Sequence, residues 1–279
     1  MFNRKVSRTT WQAAQEVGAV IYHMTVRNAR GGRGHAGLAL VNQVMFMVLL
    51  IILLGLVMTY GFQMRRNLIR GDFILFLMTG IFMFRMHVQT IRQFGINEGA
   101  GAFKHTQASA PVQMAASALS TLYSQMLSIL CVLGIYYAVV VPWGTGYPFE
   151  IVHPIGALWM IILSWLTAIC VGLLLAAVGP WAPRPVAIFR MLYIRVQFIA
   201  SGKMFLGNDM PGASLKYFEW NPLFHIIDQA RGYTFMNYFP RNSNIVYPLK
   251  FCLVVIVLGL MIEFVTRRSV SASWSKSRF

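Results

Sequence analysis

The chain has 279 residues, 57% of them hydrophobic and only 11% charged, where soluble domains carry about 25% charged residues. That composition excludes an ordinary soluble domain and points to a chain that faces lipid. The net charge of +16, from 24 Lys and Arg against 8 Asp and Glu, then suits anionic lipid and topology control rather than nucleic acid.

In chain order, residues 1–37 come first, basic and mixed, with no signal-peptide pattern. Within them, residues 10–27 read as an amphipathic helix. Trp11, Ala14, Val17, Ile21 and Met24 share one face, while Gln12, Gln15, Glu16, His23 and Arg27 lie elsewhere. Such a basic helix is expected to lie in the cytoplasmic interface plane; a plain topogenic anchor is the alternative. Gly31 to Gly37 break it.

Six membrane-length apolar segments follow, each near the roughly 20 residues that a bilayer core requires. They are Leu38 to Tyr60, Phe73 to Ile91, Val112 to Val141, Ile155 to Val178, Val186 to Leu206 and Ile245 to Val265. Arg85 interrupts the second. Arg190 and Arg195 fall in the fifth. Residues 38–266 thus form one transmembrane domain, and 267–279 a basic, Ser-rich tail. The fold class expected is an all-α integral membrane protein with an interface helix and a re-entrant stretch between spans five and six.

Orientation follows from Lys and Arg. With the N-terminus inside, the cytoplasmic side gains the basic residues of the N-terminal region, of the loops and of the tail, about twice as many as the outer side. Both termini are therefore expected in the cytoplasm. Arg65, Arg66 and Arg70 fall outside, against the rule.

Two segments are too polar to span. The first, Gly95 to Pro111, holds Asn97, Glu98, Lys104 and His105 among glycines. The second runs Trp220-Asn-Pro-Leu-Phe-His225-Ile-Ile-Asp228-Gln-Ala-Arg231. Leu223, Ile226, Ile227 and Ala230 make its apolar face, which His225, Asp228 and Gln229 do not share. A polar helix at membrane depth is tolerated only where it is buried in protein or lines a water-filled path.

Charges inside spans are costly and point to function. Arg85 shares a face with Gln89 and Arg92. Arg195 shares a stripe with Ile199 and Lys203, beside Phe198. The competing reading is snorkelling toward the interface. In span three, Ser117, Thr121, Ser124 and Ser128 line one face near Gln113 and Gln125, a pattern for close helix packing or for pore lining.

Enzyme signals are poor. There is no phosphate-binding GxxxxGK[ST], since Gly202-Lys203 is followed by Met204. Gly32-x-Gly34-x-x-Gly37 lacks a preceding strand. The six His have no metal-ligand spacing. Cys131, Cys170 and Cys252 sit in apolar runs as small fillers.

This layout resembles the ABC-2 type permeases, above all the exporters of capsule and O-antigen polysaccharide. Asn221, Pro222, His225 and Arg231 match that family's Asn-Pro-aliphatic-x-His segment with its following Arg, and Asp228 stands near a frequent acid. Phe76-Leu-Met-Thr-Gly80 resembles its aliphatic-x-Thr-Gly stretch, although the Pro-Trp that often follows is absent. Val26-Arg27-Asn-Ala-Arg30 resembles the end of its interface helix.

The resemblance implies a transport subunit of the inner membrane, not an enzyme. It implies a homodimer paired with two copies of a separate ATPase that binds ATP and Mg, and no cofactor or metal in this chain. It implies a lipid-linked glycan as cargo and periplasmic and outer-membrane export proteins as further partners. The substrate path is then expected at Arg85, Gln89, Arg195, Phe198, Lys203 and Phe84. The outer gate falls at Trp220, Asn221, Pro222, His225, Asp228 and Arg231. Contact with an anionic cargo falls at Arg65, Arg66 and Arg70, and sugar stacking at Phe84, Phe198, Trp143 and Trp220. ATPase coupling falls at Arg27, Arg30, Asn97, Glu98, Lys104 and His105. A permease for a lipid or drug is the alternative within the class. A membrane-embedded transferase using His87, Glu98 or His225 is the alternative outside it, with a structural scaffold third.

Overall fold

A computed structural model describes residues 10–30, 36–61, 73–99, 110–140, 142 and 151–276. The expected sites at Arg65, Arg66, Arg70, Lys104, His105 and Trp143 lie outside the described residues, and so do the side chains of Asn97 and Glu98. Among the described residues the chain is helical, without strands.

The interface segment forms α1 (Thr10–Ala29). Next come α2 (Ala36–Leu56), ending in a π turn over Val57–Gly61, and α3 (Phe73–Gly99). Then come α4 (Ala110–Ile135), extended by a π turn over Tyr136–Val140, and α5 (Pro154–Val178). After α6 (Pro183–Ala200) lie a short turn at Gly207–Asp209 and the four-residue α7 (Gly212–Leu215). The chain ends with α8 (Pro222–Thr234) and α9 (Val246–Lys276).

Five helices are long and apolar enough to cross a membrane: Gly37–Tyr60, Phe73–Gly95, Pro111–Val139, Pro154–Val178 and Val246–Thr266. The fifth expected span is the one that differs. Its helix, α6, carries Arg184, Arg190 and Arg195 in 18 residues and stops at Ala200. Gly202 then takes a left-handed φ of 67°, the glycine stop typical of a helix C-terminus. A Cβ there would also lie 2.6 Å from the Phe224 ring, so only glycine fits.

The central helix is α3. In its apolar stretch 89% of the residues are buried, against 22% in those of α2 and α9. It packs on α2, α4, α5, α6 and α8. Lipid offers no hydrophobic drive between helices, so close fit and hydrogen bonds hold them together. Gly172 of α5 leaves room for the Phe94 ring of α3, 3.0 Å from where a Cβ would stand. Ser164 Oγ donates to the Met83 carbonyl at 2.8 Å.

The stripe on α4 serves packing. Ser117, Thr121, Ser124 and Ser128 each donate to the carbonyl four residues earlier, at 2.8–2.9 Å, and Ser117, Thr121 and Ser128 are buried. This surface receives α1. Thr25 Oγ1 donates to the Ala116 carbonyl and Asn28 Nδ2 to Ser117 Oγ, both at 3.4 Å. Ile21, Met24, Thr25 and Asn28 are half-buried there, while Trp11 stays 71% exposed.

The α5–α9 pairing fixes the level of the α8 region. Cys252 lies beside Cys170, and Gly259 against the Leu174 backbone. The first turn of α9 therefore sits roughly ten residues, or ~15 Å, down from the N-terminal end of α5. Helix α8 fills that step, packed on α3, α5 and α9.

Candidate functional site

Helix α8 starts on a local signal. Asn221 is its N-cap: the side-chain oxygen accepts from the Leu223 N–H at 3.1 Å, and Pro222 occupies the first helical position. Both choices suit a helix start. The same Asn221 amide donates to Gln197 Oε1 and to the Ala200 carbonyl, each at 2.7 Å. One residue thus begins α8 and closes the end of α6. It is fully buried, where such bonds matter most because no water replaces them.

His225 joins the two flanks. The Asn244 N–H donates to its Nδ1 at 3.1 Å, so Nδ1 is an acceptor and the proton sits on Nε2, which donates to the Glu219 carbonyl at 2.7 Å. Gln229 binds Ser243 through both the carbonyl and the hydroxyl. The segment after α8 thus folds back along it before entering α9. Asp228 accepts from the Gly207 N–H at 3.3 Å and from the Tyr238 hydroxyl. Burial, and next the charge of Asp228, hold the Tyr238 phenol above its usual range, so Tyr238 stays the donor.

Arg231 is the anchor. It is 1% exposed. Its guanidinium donates to the carbonyls of Gly202 at 3.3 Å, Lys203 at 2.6 Å and Phe205. It also lies over the Phe76 ring, 4.0 Å from the centroid. An arginine fork fits several carbonyls at once, as a lysine does not. At the far end of α8, the His153 N–H donates to the Tyr233 carbonyl at 2.9 Å, and Gly156 accepts the Tyr233 ring, 2.4 Å from a Cβ there. Asn221, His225, Asp228 and Arg231 are therefore staples that lock α6, α8 and α9 into one block. Trp220 differs: it is 54% exposed and only its carbonyl is engaged, by the Tyr247 hydroxyl at 2.6 Å.

The residues expected along a path separate into three places. Lys203 is 1% exposed. It donates to the Phe198 carbonyl, and its ammonium sits 4.0 Å from the Phe84 centroid and 3.4 Å from that of Phe198. Phe84 and Phe198 meet edge to face at 5.7 Å. Gly80 makes this possible, since a Cβ would stand 2.9 Å from Lys203 Cβ and 3.0 Å from its carbonyl oxygen. Arg85, 3% exposed, lies 4.7 Å from the Phe46 centroid. With the Gln89 amide oxygen turned toward it, both terminal nitrogens donate at 2.9 Å. Arg195 is exposed and faces a cleft shared with Arg92 and Arg190. The stripe linking Arg195 to Lys203 breaks because the helix ends between them.

His87 is fully buried. Its Nδ1 faces the Ser164 carbonyl and Thr167 Oγ1, at 3.3 and 3.2 Å, and its Nε2 faces the Tyr193 hydroxyl at 3.0 Å. It ties α3 to α5 and α6. Neither His87 nor His225 offers a free nitrogen for chemistry. Arg27 and Arg30 are exposed at the end of α1. Gln197, Tyr193 and Tyr238 are network members that the sequence did not single out; the glycine at 202 was a usable signal for the end of α6 alone.

Five apolar helices, α3 the most buried of them, with a polar helix stapled in before the last, define an integral membrane protein. Two curated sequences of the polysialic acid transport protein KpsM from Escherichia coli are each 27% identical to the chain over 219 residues, 76% of this chain and 79% of the relative. No protein-family model matches. The likeness to KpsM bears out the resemblance to ABC-2 type permeases of capsule polysaccharide export.

Proposed function

We propose that the chain is the membrane permease of an ATP-driven exporter that moves a lipid-linked polysaccharide, of capsule or O-antigen type, across the inner membrane. The observation that carries this reading is the reach of the similarity to KpsM: 219 residues, many helices long rather than one motif. The absence of a phosphate-binding loop from the sequence agrees with ATP hydrolysis in a separate chain.

In this reading two copies pair, two ATPase subunits dock below them, and both termini are cytoplasmic. The exposed apolar faces of α2 and α9 meet lipid or the second copy. Helix α8 enters the outer half of the bilayer and returns, its start capped by Asn221 and its Tyr233 and Thr234 carbonyls bonded by the His153 and Val152 N–H groups just before α5, as membrane depth demands. ATP binding would act by favouring one arrangement of the two copies over another, and the stapled block would move as a unit. The exposed Trp220 and the outer Arg65, Arg66 and Arg70 remain the contacts proposed for the glycan. Arg27, Arg30, Asn97, Glu98, Lys104 and His105 remain those proposed for the ATPase.

Co-purification tests the partnership. A tagged chain should retain an ABC ATPase in mild detergent, and export should stop when that ATPase is inactivated. Undiminished export without it would overturn the proposal.

A further inference from the structure

Arg85 sits halfway along its span. Roughly ten residues separate it from Gly95 at one end and about twelve from Phe73 at the other, at least ~15 Å along the helix either way. That is too far for its side chain to snorkel to an interface. The residue is 3% exposed, and among the described residues no carboxylate meets it. Glu98 belongs to α3 roughly thirteen residues, or ~20 Å, further on. Arg92 adds a like charge. A buried cation so placed is costly unless an anion comes to it.

Its contacts leave one edge of the fork open. The Gln89 amide oxygen takes an N–H from each terminal nitrogen, both at 2.9 Å. Nε has no partner. The Nε–H and the outward N–H of the neighbouring terminal nitrogen are parallel donors, the pair that grips two oxygens of one carboxylate or phosphate. The Phe46 ring of α2 covers the group, its centroid 4.7 Å from the guanidinium carbon. Phe46 is itself exposed, beside exposed Met45 and Leu49, so one ring separates Arg85 from whatever passes that face of α2. Bilayer phosphates stay at the interface, so the anion that reaches this depth is one carried across.

We propose that Arg85 is a mid-membrane contact for an oxyanion on the transported glycan, gripped by the open edge of its guanidinium. The inference rests on the transport reading above and adds the charge of the cargo group and the place where it is met. A carboxylate of the sugar chain and the phosphate of the lipid carrier share the required chemistry.

The test uses the full chain with its co-purified ATPase in proteoliposomes. The flux probes are the lipid-linked polysaccharide extracted from the source cells and the same material with its carboxyl groups reduced to alcohols. Undecaprenyl phosphate and undecaprenol are the binding probes, read by native mass spectrometry. Size exclusion and ATPase retention check folding; should R85Q fail there, R85K decides by the same comparisons. R85Q should raise the half-saturating concentration of the intact polysaccharide about tenfold, as lost charge-assisted bonds imply. R85K, a charge without the fork, should fall between, and R184Q, which removes an exposed Arg of α6, should match wild type. A difference that vanishes on carboxyl reduction names the sugar carboxylate. A difference that survives reduction, with undecaprenyl phosphate but not undecaprenol bound more weakly by R85Q, names the carrier phosphate. Wild-type half-saturation in R85Q, an equal loss in R184Q, or a defect that survives reduction while undecaprenyl phosphate binds as in wild type would each overturn the site alone. Absence of any wild-type flux would overturn the transport reading, and the site with it.

Discussion

Replacing Arg231 with alanine separates a staple from a cargo contact. The wild-type guanidinium serves the carbonyls of Gly202, Lys203 and Phe205 and covers the Phe76 ring. Alanine leaves three carbonyls without their donor in a buried site, at about 1–3 kcal/mol each. It also removes the positive charge beside buried Asp228. Water entering the vacated space recovers part of this. The net loss should be about 3–5 kcal/mol, in line with breaking a buried charged network. Lysine keeps the charge but lacks the fork, so Arg231→Lys should lose roughly half as much. The assay is denaturant unfolding in detergent, followed by tryptophan fluorescence, with export measured in parallel. Stability should fall in the order wild type, Arg231→Lys, Arg231→Ala, with export following it. An Arg231→Ala protein as stable as wild type but unable to export would refute the reasoning, because Arg231 would then be acting on cargo.

Asn221→Ala removes an N-cap, worth about 1 kcal/mol, and two buried bonds to α6. A total loss of about 2–3 kcal/mol is expected in the same unfolding assay. Gly80→Ala drives a methyl into the Lys203 backbone. Overpacking of this kind costs about 1–3 kcal/mol, and a thermal melt with an unshifted midpoint would contradict the contact. Arg85→Ala should lower export on the order of tenfold while leaving co-purification with the ATPase unchanged. Wild-type export in that variant would remove Arg85 from the path.

The membrane class and the starts of five spans were legible because lipid demands long apolar runs; the fifth expected span was not, because its helix carries three arginines and stops at Ala200. The helical character of the stretch after Trp220 was legible too, while its start at Asn221-Pro222, a local capping signal, was not singled out. Arg195 and Lys203 show where periodicity runs out. A helical stripe joins them only if the helix continues, and Gly202 ends it first. The roles of His225 and Arg231 depend on carbonyls at 219 and 202–205, brought near by a chain reversal that no spacing rule encodes. Span three's hydroxyls were ambiguous in sequence because packing and pore lining use the same residues; the burial of Ser117, Thr121 and Ser128 and the contact of Ser117 with Asn28 of α1 favour packing.

The central claim is that this chain moves a lipid-linked polysaccharide only when driven by a partner ATPase. The direct measurement is flux of such a glycan into proteoliposomes holding the chain with or without its co-purified ATPase, in the presence of ATP. The account predicts flux only when both proteins and ATP are present, with the glycan chemically unchanged. Full flux by the chain alone, or a chemically altered glycan, would contradict it.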